Sequence, residues 1–154
     1  MTLYFAYAPT CSARRCRRAA RPRASSGRRC STGYRFFVGV DGWGSVKPAP
    51  GSKVHGLLWK LTPRDIAALH AYELLHARLY DVRHLGVRNG RRLVTAMIYV
   101  LRRRAAGKPK PGYVEMIAAA ARGLKLPEPY IRSVERWSIS RWTGGRIIDF
   151  GELA

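Results

Sequence analysis

A strand that runs directly into a capped helix, over Leu57–Tyr80, limits most strongly what this chain can fold into. The alternating stretch Val54–Lys60 predicts the strand, and Thr62 stands where a helix N-cap accepts a hydrogen bond from a free backbone N–H. Pro63 suits the first helical position, which needs no N–H donor, and Asp65 favours the positive end of the helix dipole. The sequence therefore predicts a helix that begins immediately after this strand.

One carboxylate on this helix is a candidate functional group. Ile66, Leu69 and Glu73 follow one another at spacings of three and four residues, so they share one helix face, and two of the three are apolar. Such a glutamate either reaches solvent or pairs with Arg78 or Arg83, or it is a general base whose pKa is raised by desolvation. The spacing alone leaves both alternatives open.

Length and composition favour one small domain. A chain of 154 residues has room for a single core, and no apolar run is long enough to cross a membrane. No basic region precedes the first short apolar run, so a cytoplasmic location is expected. The three cysteines form no Cys-x-x-Cys pair, and His70 and His76 point to different faces of their helix, so no metal site is predicted.

The positive charge is densest in one segment, and it is more widely spread over the rest of the chain, which is also basic. The formal net charge is +20, and Ala8–Thr32 contains eight arginines, no acidic residue and all three cysteines. This segment has no helical or strand period, so it is predicted to be a disordered or poorly packed loop. A real basic arm at 14–29 would bind phosphate backbones, which makes a nucleic-acid-binding module the alternative function, and the composition also resembles an organelle transit peptide.

The remaining pattern predicts an α+β domain with a mostly antiparallel, curled sheet. Strands are expected at Leu3–Tyr7, Tyr34–Val40, Val54–Lys60, Leu79–Val87 and Leu93–Leu101, and helices after Thr62, at Tyr113–Leu124 and at Glu128–Trp137. Asn89-Gly90 predicts a type I′ hairpin turn, whereas Asp41–Gly44 and Lys47–Gly51 are expected to be turns or loops. Tyr99 is expected in the core, with a position facing a pocket as the alternative.

Four motifs in the same order resemble the γ-glutamylcyclotransferase-like family, which includes the plant AIG2-like proteins and bacterial butirosin-pathway relatives. Tyr4–Tyr7 is similar to the start of a Tyr-Gly-Ser-Asn signature, and Pro50–Trp59 resembles a PGxxVxGxLW strand. Leu61–Glu73 resembles an LTPxDLxxLDxYE helix, and Lys108–Pro127 resembles the stretch PSPxYLxxIxxGAxxxGLP. The resemblance spans a domain of residues 1–137, and 138–154 is a tail. The aromatic residues Trp137 and Trp142 are expected to cover an apolar patch or to belong to a dimer contact.

The resemblance implies a small, distorted β-barrel with flanking helices and an enzyme that forms 5-oxoproline from a γ-glutamyl compound, releasing an amine or amino acid. Glu73 would take a proton from the substrate ammonium and return it to the leaving amine. The residues expected to bind the substrate lie in the loop after the first strand or near the pocket: Tyr7, Ala8, Pro9, Thr10, Tyr80 and Tyr113. Neither a cofactor nor a metal is implied, the partner is a small molecule, and a homodimer is left open.

The sequence departs from the family at the expected glycine loop. Ala8-Pro9-Thr10 replaces Gly-Ser-Asn, and Pro9 has no N–H to stabilise an oxyanion, while Ala8 resists the backbone conformations open to glycine. His70 replaces the aspartate three residues before the catalytic glutamate, and Leu74 replaces the glycine after it. As written, the chain is therefore expected to have impaired activity.

A shift of reading frame explains the changed loop. Ala8–Cys16 can be encoded as GCC CCA ACA TGC TCA GCG CGC AGA TGC, and one added G, read one base earlier, encodes Gly-Pro-Asn-Met-Leu-Ser-Ala-Gln-Met. Ser25–Gly33 shifts in the same way to Val-Val-Gly-Pro-Ala-Leu-Leu-Asp-Gly. The prediction is that 8–32 is out of frame between two compensating indels in a GC-rich gene.

Overall fold

The computed structural model describes residues 1–7, 23–75 and 78–138, apart from the side chains of 23–28 and 72–75. Within these ranges the strands are β1 (Thr2–Ala6), β2 (Arg23–Val38), β3 (Gly44–Leu61), β4 (Tyr80–Asn89) and β5 (Arg92–Leu101). The helices are α1 (Pro63–Leu75), α2 (Tyr113–Gly123) and α3 (Glu128–Glu135). The strands form a closed barrel in the order β1-β3-β2-β4-β5, which confirms the expected α+β class and the distorted barrel with flanking helices.

None of the helices in these described ranges is both long and apolar enough to span a membrane. The expected tail falls almost entirely on residues 139–154, which lie outside the described residues, and so does Trp142.

Strand β1 closes the barrel. It pairs antiparallel with β3, so that Thr2 is opposite Leu61 and Ala6 is opposite Leu57. On its other edge it lies parallel to β5, with Tyr4 opposite Met97. Both edges of β1 are therefore hydrogen-bonded, and the exposed edge that an open sheet would present is removed.

Side chains of β1 alternate between two hydrophobic clusters. Phe5 and Tyr7 belong to the larger cluster, which joins the barrel to α2 and α3. Tyr4 and Ala6 belong to a second cluster, called here the α1 cluster. Its buried members are Tyr4, Ala6, Trp59, Leu61, Leu69, Met97 and Tyr99, with Leu57, Ile66 and Tyr80 packed against them. Helix α1 thus covers one face of the strands whose other face contributes to the main core.

The stretch Lys47–Gly51 is part of β3, so the expected loop is wrong there. Pro48 is opposite Tyr34 in the β2–β3 hairpin. Strand β1 pairs with β3 at 57–61, so the edge near Pro48 has no β1 neighbour. Proline has no backbone N–H to donate. An edge without a neighbouring strand needs no such donor, so β3 continues through Pro48.

The second half of the basic segment is also a strand. Strand β2 begins at Arg23, Cys30 lies opposite His55, and the Ser31 hydroxyl donates a hydrogen bond of 2.8 Å to the Gly86 carbonyl. The expectation of a disordered or poorly packed loop is therefore wrong for 23–32. Pairing with β3 gives backbone groups of this stretch hydrogen-bond partners, and such pairing does not depend on the type of side chain. The first half, 8–22, lies outside the described residues.

The β4–β5 turn has two residues but differs in type from the expected one. Asn89 is opposite Arg92, which leaves Gly90 and Arg91 in the turn. Gly90 has a φ of +66°, whereas Asn89 and Arg91 do not have positive φ. Glycine alone at the first central position is typical of a type II′ turn, so the type I′ prediction is wrong.

Gly56 lies where β3 approaches the end of β1 most closely. A Cβ atom at this position would meet the carbonyl oxygen of Ala6 well inside van der Waals contact and lie 2.9 Å from the Cα of Tyr7. Both are backbone atoms, so they cannot give way without displacing β1.

We expect Gly56→Ala to lower the free energy of unfolding by about 1–3 kcal/mol, because the added methyl pushes β1 away from β3. Urea unfolding would measure the loss. Gly123→Ala is the matched control, because a Cβ at the end of α2 meets no atom within 4 Å. Equal stability of Gly56→Ala and the parent would show that β1 is not held at this distance.

His55 is a half-buried titratable group on β3. Its ring centroid lies 5.2 Å from that of Tyr130 on α3. Burial, together with the nearby positive charge of Lys53, holds the pKa of His55 below its ordinary value of 6.5. The folded protein therefore favours the neutral imidazole.

The low pKa of His55 predicts a loss of stability in acid. Because the unfolded chain binds this proton more readily, the contribution of His55 is fully present above pH 6.5 and is lost as the pH falls through the lower folded-state pKa. Urea unfolding across that window should show a smaller loss for His55→Gln than for the parent. His84→Gln, at an exposed position on β4, is the control. Identical pH profiles for all three proteins would contradict the assignment.

Candidate functional site

Helix α1 begins with a reciprocal pair of capping contacts. The backbone N–H of Asp65 donates to the Thr62 hydroxyl at 3.2 Å, and the backbone N–H of Thr62 donates to the Asp65 carboxylate at 2.9 Å. The Thr62 hydroxyl also donates to that carboxylate at 2.8 Å. These contacts satisfy free donors of the first turn, and they confirm the predicted N-cap.

The same helix carries Glu73 in its last turn. Leu69, which is only 3% exposed, and the half-buried Ile66 attach α1 to the α1 cluster. Glu73 follows Leu69 by four residues, and its side chain is outside the described residues. The structure thus places the backbone of Glu73 on the helix that covers β1, β3 and β5 at this cluster.

Tyr99 on β5 connects α1 to the end of β1. Its hydroxyl shares a hydrogen bond of 3.0 Å with Nδ1 of His70 on α1. Its backbone carbonyl accepts a hydrogen bond of 2.6 Å from the Tyr7 hydroxyl, and its ring packs edge-on against Tyr4 at 5.8 Å. The expected core position of Tyr99 is confirmed. Its hydroxyl contacts α1, and its backbone carbonyl contacts Tyr7 at the end of β1.

Tyr7 is held on its other side by α3. The Tyr130 hydroxyl donates a hydrogen bond of 3.1 Å to the carbonyl of Tyr7. Burial, with a smaller effect of the neighbouring Tyr113, raises the pKa of Tyr130 well above its ordinary range, so its hydroxyl remains a donor. Tyr7 is the last described residue before the expected substrate loop, and Ala8, Pro9 and Thr10 lie outside the described residues.

The two tyrosines expected near the substrate lie in different clusters. Tyr80 is half-buried at the start of β4 and packs against the α1 cluster. Tyr113 is 4% exposed in the larger cluster, where its hydroxyl accepts a hydrogen bond of 2.9 Å from the N–H of Gly44 and its ring packs edge-on against Trp43. Tyr80 is therefore grouped with Tyr99 beside α1, and Tyr113 is grouped with Tyr7.

The loop before α2 positions Tyr113. The Gly107 N–H donates to the Val38 carbonyl at 2.9 Å, and the Lys110 N–H donates to the Gly42 carbonyl at 3.1 Å. Gly42 has a φ of +84° in the predicted turn after β2, which the structure confirms. These bonds tie the loop to that turn and bring the first residue of α2 against Gly44.

Sequence reasoning missed the role of Tyr130, and it considered His70 only as a metal ligand and as a departure from a family motif. A tyrosine on the apolar side of a helix signals a hydroxyl that needs a buried partner, but it does not say which partner. Among the residues described, no group of three or more His, Cys, Asp or Glu side chains could hold a metal ion. The indole N–H of Trp59, buried in the α1 cluster, has no acceptor among these residues.

The solved structures that share the fold include two γ-glutamyl cyclotransferases and an uncharacterized human protein. A γ-glutamyl cyclotransferase is 18% identical with a TM-score of 0.77, covering 99% of this chain and 96% of that one. An uncharacterized human protein is 20% identical with the same TM-score and coverage. A yeast γ-glutamyl cyclotransferase specific to glutathione is 9% identical with a TM-score of 0.57, covering 91% and 96%. No curated protein matches the chain in sequence.

The family follows from a match in sequence. A family model described as the AIG2-like family matches residues 53–134, which is more than half of the chain. The matched range includes α1 with Glu73, the β4–β5 hairpin and α2 with Tyr113. The chain therefore belongs to the AIG2-like family, and its barrel has the fold of the γ-glutamyl cyclotransferases.

Proposed function

We propose that this protein is a γ-glutamyl cyclotransferase-like enzyme with Glu73 as its general acid and base. The observation that carries this proposal is the path from α1 through Tyr99 to Tyr7. It joins the helix that bears Glu73 to the residue that precedes the expected substrate loop. Family membership and the shared fold support the same activity.

The reaction needs one proton carrier and one oxyanion site. Glu73 removes a proton from the α-ammonium of the γ-glutamyl group, and the free amine attacks the γ-carbonyl carbon. A C–N bond forms and closes the five-membered ring. The oxyanion re-forms the carbonyl, and the bond to the departing amine breaks as Glu73 returns the proton to it. The ring nitrogen loses its remaining extra proton through the same carboxylate to the amine, which leaves as an ammonium ion. The products are 5-oxoproline and an amine or amino acid.

The surroundings of α1 suit a glutamate that exchanges protons near neutral pH. Trp59, Leu69 and Met97 are buried members of the α1 cluster. Poor solvation disfavours a charged carboxylate, which raises its pKa toward the range in which it both accepts and donates a proton. Glu73 follows Ile66 and Leu69 at helical spacing, so we expect it to share their apolar face of α1.

The sequence of the loop after Tyr7 is poorly suited to stabilise the oxyanion. Backbone N–H groups at 8–10 would stabilise the oxyanion, but Pro9 has none. We infer that 8–32 is an out-of-frame stretch and that the chain as written turns over its substrate slowly. The in-frame reading supplies glycine at position 8, which gives the loop greater backbone freedom.

Glu73→Gln should lower the release of 5-oxoproline from γ-glutamyl dipeptides by about 100-fold or more, because the amide cannot carry the proton. The assay is chromatographic detection of 5-oxoproline, with the unfolding midpoint measured on the same samples. Glu115→Gln, which removes an exposed carboxylate from α2, is the control and should retain activity. Unchanged turnover in Glu73→Gln would exclude the assigned role.

The bases of codons 7–34 in the source genome test the altered loop. We expect one base to be missing after the codon of Tyr7 and one extra base near the codon of Gly33. A chain carrying the restored 8–32 should exceed the chain as written in kcat/KM by about 100-fold, comparable to regaining an oxyanion donor. Codons that are incompatible with the shifted reading would disprove the frameshift.

A further inference from the structure

The contacts that hold α1 on the barrel are of two physical kinds. Leu69 and Ile66 contribute apolar contacts, which favour burial but are not directional. The hydrogen bond of 3.0 Å between Nδ1 of His70 and the Tyr99 hydroxyl is directional. The two rings also meet edge to face, with an interplanar angle of 86° and centroids 5.8 Å apart. This pair therefore restricts how α1 turns about its own axis.

Several contacts with the barrel fix the position of Tyr99. Its backbone is part of the β4–β5 ladder, where it lies opposite Val82. Its carbonyl accepts the Tyr7 hydroxyl, and its ring packs against Tyr4. The hydroxyl that reaches His70 is thus attached to a residue fixed from β1 and from β4.

The position of His70 makes the pair relevant to Glu73. The two residues are three positions apart on α1, so they are neighbours across one helical turn. Side-chain atoms lie about 5–6 Å from a helix axis, so a rotation of about 10° moves them by about 1 Å. A displacement of that size at a reacting group costs about 100-fold in rate.

We propose that His70 is a positioning residue whose hydrogen bond with Tyr99 sets the rotation of α1, and thereby the position of Glu73 relative to Tyr7. The inference rests on the proposed function. It assigns a role to a histidine that stands where the family pattern has aspartate. His70 itself does not exchange a proton with the substrate in this assignment.

The kinetic test compares four single variants of the full chain. His70→Leu and Tyr99→Phe remove the hydrogen bond, and each should lower kcat by about 10- to 100-fold with KM nearly unchanged. His70→Asn keeps a polar atom near the place of Nδ1 and should recover most of the rate. His84→Leu, an equivalent change at an exposed position on β4, is the control. Unchanged kcat in His70→Leu, or no recovery in His70→Asn, would refute the role.

Amide hydrogen exchange of the peptide 63–75 gives a readout that does not need turnover. Exchange in α1 should be faster in His70→Leu and Tyr99→Phe than in the parent, and close to the parent in His70→Asn and His84→Leu. The double variant His70→Leu/Tyr99→Phe should exchange no faster than the faster single variant, because both remove one contact. Additive effects, or no change in α1, would overturn the proposal.

The two readouts separate this inference from the proposed function. Absence of 5-oxoproline with the parent and with a chain carrying the restored loop would reject the proposed function. Exchange rates in α1 would still show whether His70 and Tyr99 hold the helix. Measurable turnover that is unaffected by His70→Leu would reject the positioning role alone.

Discussion

The pairing of β1 on both edges is the constraint on which the rest of the molecule depends. Its antiparallel contact with β3 and its parallel contact with β5 close the barrel. They also separate alternate side chains of β1 between the larger cluster and the α1 cluster. The end of β1 brings Tyr7 beside Tyr99, so the strand that completes the barrel also carries the start of the proposed substrate loop.

Local chemistry made some elements predictable from sequence. Thr62, Pro63 and Asp65 specify the start of α1 through contacts within a single turn, and the structure contains those contacts. The β4–β5 hairpin follows from alternation and a glycine turn, although the turn type depends on the register, which the dipeptide does not specify. The prediction of a loop around Pro48 was wrong. A proline interrupts a strand only where its missing N–H would pair with a neighbouring strand, and the presence of that neighbour is a tertiary property.

Long-range contacts of the candidate site were the part that sequence could not supply. The Tyr7 hydroxyl meets the carbonyl of a residue 92 positions away, and nothing in either local pattern indicates the pairing. Two other buried tyrosines also form hydrogen bonds between their hydroxyl and a distant backbone group. The Tyr113 hydroxyl accepts from the N–H of Gly44, and the Tyr130 hydroxyl donates to the carbonyl of Tyr7. Each such bond contributes about 0.5–1.5 kcal/mol, but losing one would leave a buried polar group unsatisfied, at a higher cost.

The bond from Tyr130 to Tyr7 also has a consequence for how the protein is made. The two residues are 123 positions apart, and ribosomes add about 5–20 residues per second, so about 6 to 25 s separate their synthesis. Strand β1 can pair with β3 within that interval, but its other edge waits for Met97 of β5. An unpaired strand edge readily joins other chains, so β1 leaves an aggregation-prone edge on the nascent barrel until β5 is synthesised.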